Sequence, residues 1–272
     1  MLEPNPSVVI PLSLQQNYVL NGKPNNGDIS LTLAPNNDYL VGNPYPSAID
    51  SEEFIRDNIP LPTGNAGTSA SIDGTLYFWE HYESNFTHIL EDYEGGYATL
   101  NLTGGLGAYM PPLISGTGSS TKIPGRFIPV GQGFFVSALI STGGDVTFRN
   151  NQRIFQRESS GNSVFMKAPT DSQASESNST EDPDLVKRVR LNFNSSNGYV
   201  RPLLLGFISN GEATDGFDHG YDSPVTDVFS NDMYWIIDEN HYAIQGVGHV
   251  GIELVKLIHA EGGKMFVTDV NQ

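Results

Sequence analysis

Apolar and polar residues alternate in short runs along most of this chain, and each run ends at glycine, proline or asparagine. Ile29-Ser30-Leu31-Thr32-Leu33 alternates strictly, as a strand with one buried face should. Similar runs predict strands over 8–14, 39–41, 74–82 and 98–102. Residues 127–139 predict one strand broken at Gly131-Gln132-Gly133 by a bulge or corner, followed by strands over 145–148 and 153–156. A second group begins at Val186. Residues 186–193 and 200–208 form a hairpin pattern, 233–237 and 242–245 form another, and 164–167, 250–258 and 264–267 are further strand runs.

Only one stretch predicts a helix. Gly42-Asn43-Pro44-Tyr45-Pro46 removes two backbone donors and fixes two φ angles, so pairing stops there. Asp50 then offers an N-cap, with Glu53 three residues on as the second half of a capping box. The pattern therefore predicts an all-β protein of two sandwich-like, jelly-roll-like blocks with one short capped helix. The blocks are 1–156 and 186–272, and 157–185 is a flexible insert rich in Ser, Asp and Glu between them. The second block reads as short of strands at Gln272.

Composition removes several function classes. Asp and Glu number 31 against 14 Lys and Arg, a net charge of −17, and no basic stripe is present to displace counterions from nucleic acid. With no cysteine, a disulfide framework, a thiolate nucleophile and a thiolate zinc site are ruled out. No apolar run reaches the length of a membrane helix, and the start of the chain lacks a signal-peptide pattern. The six histidines show no metal-binding pair spacing, and no GxSxG or phosphate loop occurs. Glu80, Glu83, Glu91, Asp92 and Glu94 lack any spacing that sets two carboxylates across a cleft. No catalytic residue is predicted.

Two constellations remain. Asp215, Asp218 and Asp222 lie on a glycine-bearing loop and can either ligate a hard cation such as Ca²⁺ or cap turns by accepting backbone N–H bonds. Tyr77 and Trp79 fall on one face of a strand, where they can stack on a sugar or pack in the core.

The segments GKPNNG (22–27), GNPYPSAID (42–50), LYFWEH (76–81), GQGFFV (131–136), FRNNQR (148–153) and ATDGFDHGYDS (213–223) occur in one order. In this the chain resembles the C-terminal region of large Bacteroidetes proteins exported by the type IX secretion system, those with a type C sorting signal. The resemblance implies an extracellular or cell-surface location, contact with the type IX machinery, and a non-enzymatic role in adhesion, surface assembly or spacing. Its partners would be other surface proteins or glycans. Two alternatives stand beside it: a carbohydrate-binding module, and a domain attached to a secreted hydrolase. The long serine-rich insert departs from the pattern.

Overall fold

A computed structural model describes residues 21–81, 95–108, 122–156, 186–196, 200–208, 211–214, 216–225, 231–237, 240–247 and 264–267. The protein is all-β. Among the described residues its one α-helix, α1 (Ser51–Arg56), is a short turn-and-a-half. The expected strands over 8–14, 164–167 and 250–258, and the insert at 157–185, lie outside the described residues.

The first half builds three sheets. β1 (Ile29–Leu33) pairs antiparallel with β9 (Gly144–Phe148). β3 (Ala48–Asp50) lies between β7 (Phe127–Ile128) and β10 (Arg153–Ile154). The largest of the three has the order β2-β8-β4-β5-β6, with β2 (Asp38–Gly42), β8 (Gly133–Ala138), β4 (Ile72–His81), β5 (Gly95–Leu100) and β6 (Gly105–Leu106). The run over 127–139 is thus two strands in different sheets. The turn at Gly131, with φ 73°, carries the chain from one to the other.

The second half forms a six-stranded sheet. β11 (Val186–Asn194) and β12 (Val200–Ile208) make the expected hairpin, with Val189 opposite Leu205 and Leu191 opposite Leu203. β15 (Asn240–Val247) pairs with β14 (Trp235–Ile237) as expected, and also lies parallel to β12. β13 (Ser223–Pro224) and β16 (Lys264–Val267) complete it.

One core collects Phe54, Phe78, Phe134 and Phe148 with aliphatic residues of β2, β4, β5, β8 and β9. Phe54 stacks on Phe148 with ring centroids 4.8 Å apart and meets Phe134 edge-on at 5.6 Å. Ile208, Ala213 and Tyr221 from the second half belong to this same core. The other core, around Leu203, Leu204, Trp235 and Ile237, takes Leu106 from the first half. Within it Arg201 and Asp232, both 1% exposed, form a two-pronged ion pair at 2.9 and 2.7 Å.

The proline corner and helix fold largely as the sequence implies. Tyr45 is buried, and its hydroxyl donates to the Gly27 carbonyl at 2.7 Å. Asp50 caps α1, but its carboxylate accepts from the Glu52 backbone N–H rather than that of Glu53. Arg126 grips both Asp50 oxygens from the side at 2.8–3.0 Å, so the capping carboxylate is itself fixed by a charge-assisted pair.

Candidate functional site: an aromatic sheet face

Alternation along the five-stranded sheet sends Leu76, Phe78, Ala98, Phe134 and Val136 into the core. The residues between them must face the other way. Register then decides which of these meet. Trp79 lies opposite Tyr97, and Tyr77 lies opposite both Thr99 and Phe135. Leu40 lies opposite Phe135, and Asp38 opposite Ser137. Four strands thus bring Trp79, Tyr97, Phe135, Tyr77 and Leu40 to one surface.

The rings on this surface form a continuous group. Trp79 meets Tyr97 edge-on at 5.0 Å, and Tyr97 meets Phe135 at 5.7 Å with the planes perpendicular. Tyr97 is 36% exposed and Leu40 67% exposed, while Trp79 and Phe135 are half-buried. A Cβ at Gly95 would come within 2.7 Å of the indole ring, so glycine is what lets Trp79 lie against β5. Tyr77 is less open. Its hydroxyl lies among Asp73, Ser223 of β13 and Thr75, and burial raises its pKa strongly, with the Asp73 charge adding to the rise. The Ser223 hydroxyl beside the Tyr77 phenol sets β13 against this end of the face, and the Thr75 and Ser223 hydroxyls are buried there.

Carboxylates line the same end. The Asp38 carboxylate accepts from the Ser137 hydroxyl at 2.6 Å. Asp73 sits in a bulge of β4, where the register to β8 shifts between Ile72 and Leu76. Burial pushes the Asp73 carboxyl up to about 7; the Thr75 backbone N–H bond opposes the rise and the Asp38 charge adds to it. Burial also raises the Tyr97 phenol, with Asp38 contributing.

The aspartate loop behaves differently. Asp218 and Asp222 are 9% and 1% exposed. Asp218 accepts from both the backbone N–H and the hydroxyl of Thr214, and Asp222 accepts from the Asp218 N–H at 2.7 Å. Those oxygens do the turn-capping work that was one of the two sequence readings. Asp215 lies outside the described residues. Among the described residues no group of three or more His, Cys, Asp or Glu side chains is arranged to hold a metal ion.

The turn these aspartates shape is clamped to the first half. Gly220 donates its N–H to the Asp73 carbonyl at 2.9 Å, and its carbonyl accepts from the Leu102 N–H at 2.7 Å. The Tyr221 carbonyl accepts from Asn101 at 2.8 Å and from Thr103 at 2.7 Å. The Tyr221 hydroxyl donates to Glu212, which Arg56 of α1 also grips at 2.7 Å. Burial and the Glu212 bond push that phenol up to about 12.

This chain belongs to the family described as Domain of unknown function (DUF8693), whose model matches residues 8–250. Over 78 residues the chain is also 35% identical to a leucine dehydrogenase of Thermoactinomyces intermedius. That stretch covers 27% of the chain and 20% of the enzyme, so the match spans about a fifth of that relative's length. No solved structure matches the chain. In this DUF8693 member, sequence reasoning found Tyr77 and Trp79 but missed Tyr97, Phe135, Leu40 and Asp38. The alternation in GYATL and GFFVSA marks Tyr97 and Phe135 as facing away from the core. Nothing local in the sequence gives the strand order that joins them.

Proposed function

We propose that this chain is a non-enzymatic module of a secreted or cell-surface protein, and that its outer sheet face binds glycans. One observation carries the ligand class: Trp79, Tyr97 and Phe135 form a joined, half-open aromatic surface beside fixed polar groups. Sugar rings present C–H faces that stack on aromatic rings and hydroxyls that need hydrogen-bonding partners, and this face offers both. The surface location is supported by the ordered motifs that resemble type IX secretion substrates, so export by that machinery is part of the proposal. Adhesion to glycans of other cells or of a matrix is the role that joins the two parts.

The test is a panel of immobilised polysaccharides probed with the whole chain and with Trp79→Ala and Tyr97→Ala. Binding to at least one polysaccharide, lost in both variants while they stay folded, is the expected result. Binding that survives both substitutions would move the ligand site elsewhere, and no binding across a broad panel would sink the glycan reading.

A further inference from the structure

Resting on the glycan-platform reading, we infer that Asp38 is the specificity-determining residue of the aromatic face, accepting hydrogen bonds from sugar hydroxyls and restricting the ligand to neutral glycans. Asp38 lies on β2 in the same outward-facing register as Leu40, next to the exposed edge of the ring group. Its Oδ1 is fixed by the Ser137 hydroxyl at 2.6 Å. Its Oδ2 takes no hydrogen bond from any described residue, and the side chain is exposed. One oxygen is therefore held and the other is presented to solvent. A carboxylate in that state accepts from sugar hydroxyls with charge-assisted bonds, stronger than those of a neutral acceptor.

The charge around it defines the excluded class. β2, β8, β4 and β5 contain no lysine or arginine. A uronate or sulfate group laid on these strands finds no lysine or arginine of theirs to pair with and faces Asp38 directly. Asp38 also acts electrostatically on Tyr97 and Tyr77, so its field covers the rings on which a sugar would stack. Neutral hexose polymers meet neither obstacle: their hydroxyls donate to the carboxylate and their ring faces cover the aromatics.

The experiment is affinity electrophoresis of the whole chain in gels containing a neutral glucan, a neutral mannan or a polygalacturonate. Wild type is expected to be retarded by at least one neutral polymer and not by the polygalacturonate. Asp38→Asn keeps the shape and the Ser137 contact but removes the charge, and should weaken neutral-polymer binding about tenfold, the size of one charge-assisted bond, while allowing retardation by polygalacturonate. Ser137→Ala leaves the charge but unfixes it. It should weaken neutral binding less and still exclude the polyuronate. Thermal melts of all three proteins confirm folding, and Asp38→Ser replaces the asparagine variant if that one melts early. Equal retardation of wild type by neutral and acidic polymers overturns the inference, as does an Asp38→Asn profile identical to wild type, and either result leaves the platform reading standing. Failure of folded wild type to bind any polymer overturns the platform reading, and this inference with it.

Discussion

In the turn around 212–222, the carboxylates of Asp218 and Asp222, the carbonyls of Gly220 and Tyr221 and the Tyr221 hydroxyl are answered from within the protein. Asp218 and Asp222 accept local N–H groups, and Gly220 and Tyr221 bond to β4 and to the 101–103 loop. On the outer sheet face, rings are half-open and Asp38 presents an oxygen outward. Both regions carry aromatic and acidic residues, so composition does not separate them. Satisfaction does. A group already paired by its neighbours has little left to offer a ligand, whereas one held in place but incompletely paired is ready to bind. The turn is the joint that seats the second half of the chain on the first, and the face is where we propose that a ligand binds.

The sharpest way to break this contrast is at the joint. Gly74 has φ 99°, and a Cβ there would lie 2.5 Å from the Gly220 Cα. Gly74→Ala must therefore push the two backbones apart while holding an unfavourable φ. We expect a loss of roughly 2–4 kcal/mol in urea unfolding. A stability within error of wild type would mean that the turn is not tightly seated.

Trp79→Ala tests the other side. If the indole is a ligand surface, binding should fall about tenfold or more, the loss typical of an aromatic anchor, at a stability cost of only about 1 kcal/mol. The decisive measurement is the pair of values together. A melting drop as large as that of Gly74→Ala, with binding intact, would make Trp79 a core residue.

A smaller effect separates capping from cation binding in the turn. Asp222→Asn weakens an acceptor for the Asp218 N–H and should cost about 1 kcal/mol. Chelation should leave the wild-type melting temperature unchanged, because Oδ2 of both Asp218 and Asp222 is engaged by protein donors. A melting temperature that falls on chelation, recovers with calcium, and loses this response in Asp218→Asn with Asp222→Asn would show that the aspartates ligate an ion instead.

How much of this was legible in the sequence depended on the range of the interaction. The strands marked by alternation in 29–33 and 189–193, the proline corner and the Asp50 cap are local, and each is found in the structure. The division of 127–139 between two sheets was not legible, because a glycine turn reads the same whether the chain continues its sheet or leaves it. Tyr77 and Trp79 were found by their spacing on one strand. Tyr97, Phe135 and Asp38 join them only through the order β2-β8-β4-β5, which follows from long-range pairing. The pairing of Arg201 with Asp232 was equally hidden: an arginine in an apolar strand pattern does not announce its partner 31 residues on.

Asp73 touches both regions, and its titration gives the finest test of the seam between them. Its carbonyl holds the Gly220 N–H, and His219 also hydrogen-bonds to that carbonyl, while its carboxyl neighbours Tyr77. In the unfolded chain the carboxyl titrates at 3.8; in the fold, burial raises it to about 7. Between those values the native state keeps a proton that the unfolded state has released. Native stability should therefore be greatest at the acid end of this window, fall as pH rises from about 4 to about 7, and level off above it. The limiting slope is about 1.4 kcal/mol per pH unit, so the change across the window is on the order of a few kcal/mol. Asp73→Asn keeps an acceptor for the Thr75 N–H but cannot ionise. Relative to wild type it should be neutral near pH 4 and stabilising near pH 8, which urea midpoints of the two proteins at both pH values will measure. Groups not coupled to Asp73 titrate alike in both proteins and cancel in the difference. If the difference between the two midpoints is the same at both pH values, Asp73 is well hydrated, and the seam between the turn and the aromatic face is open to water.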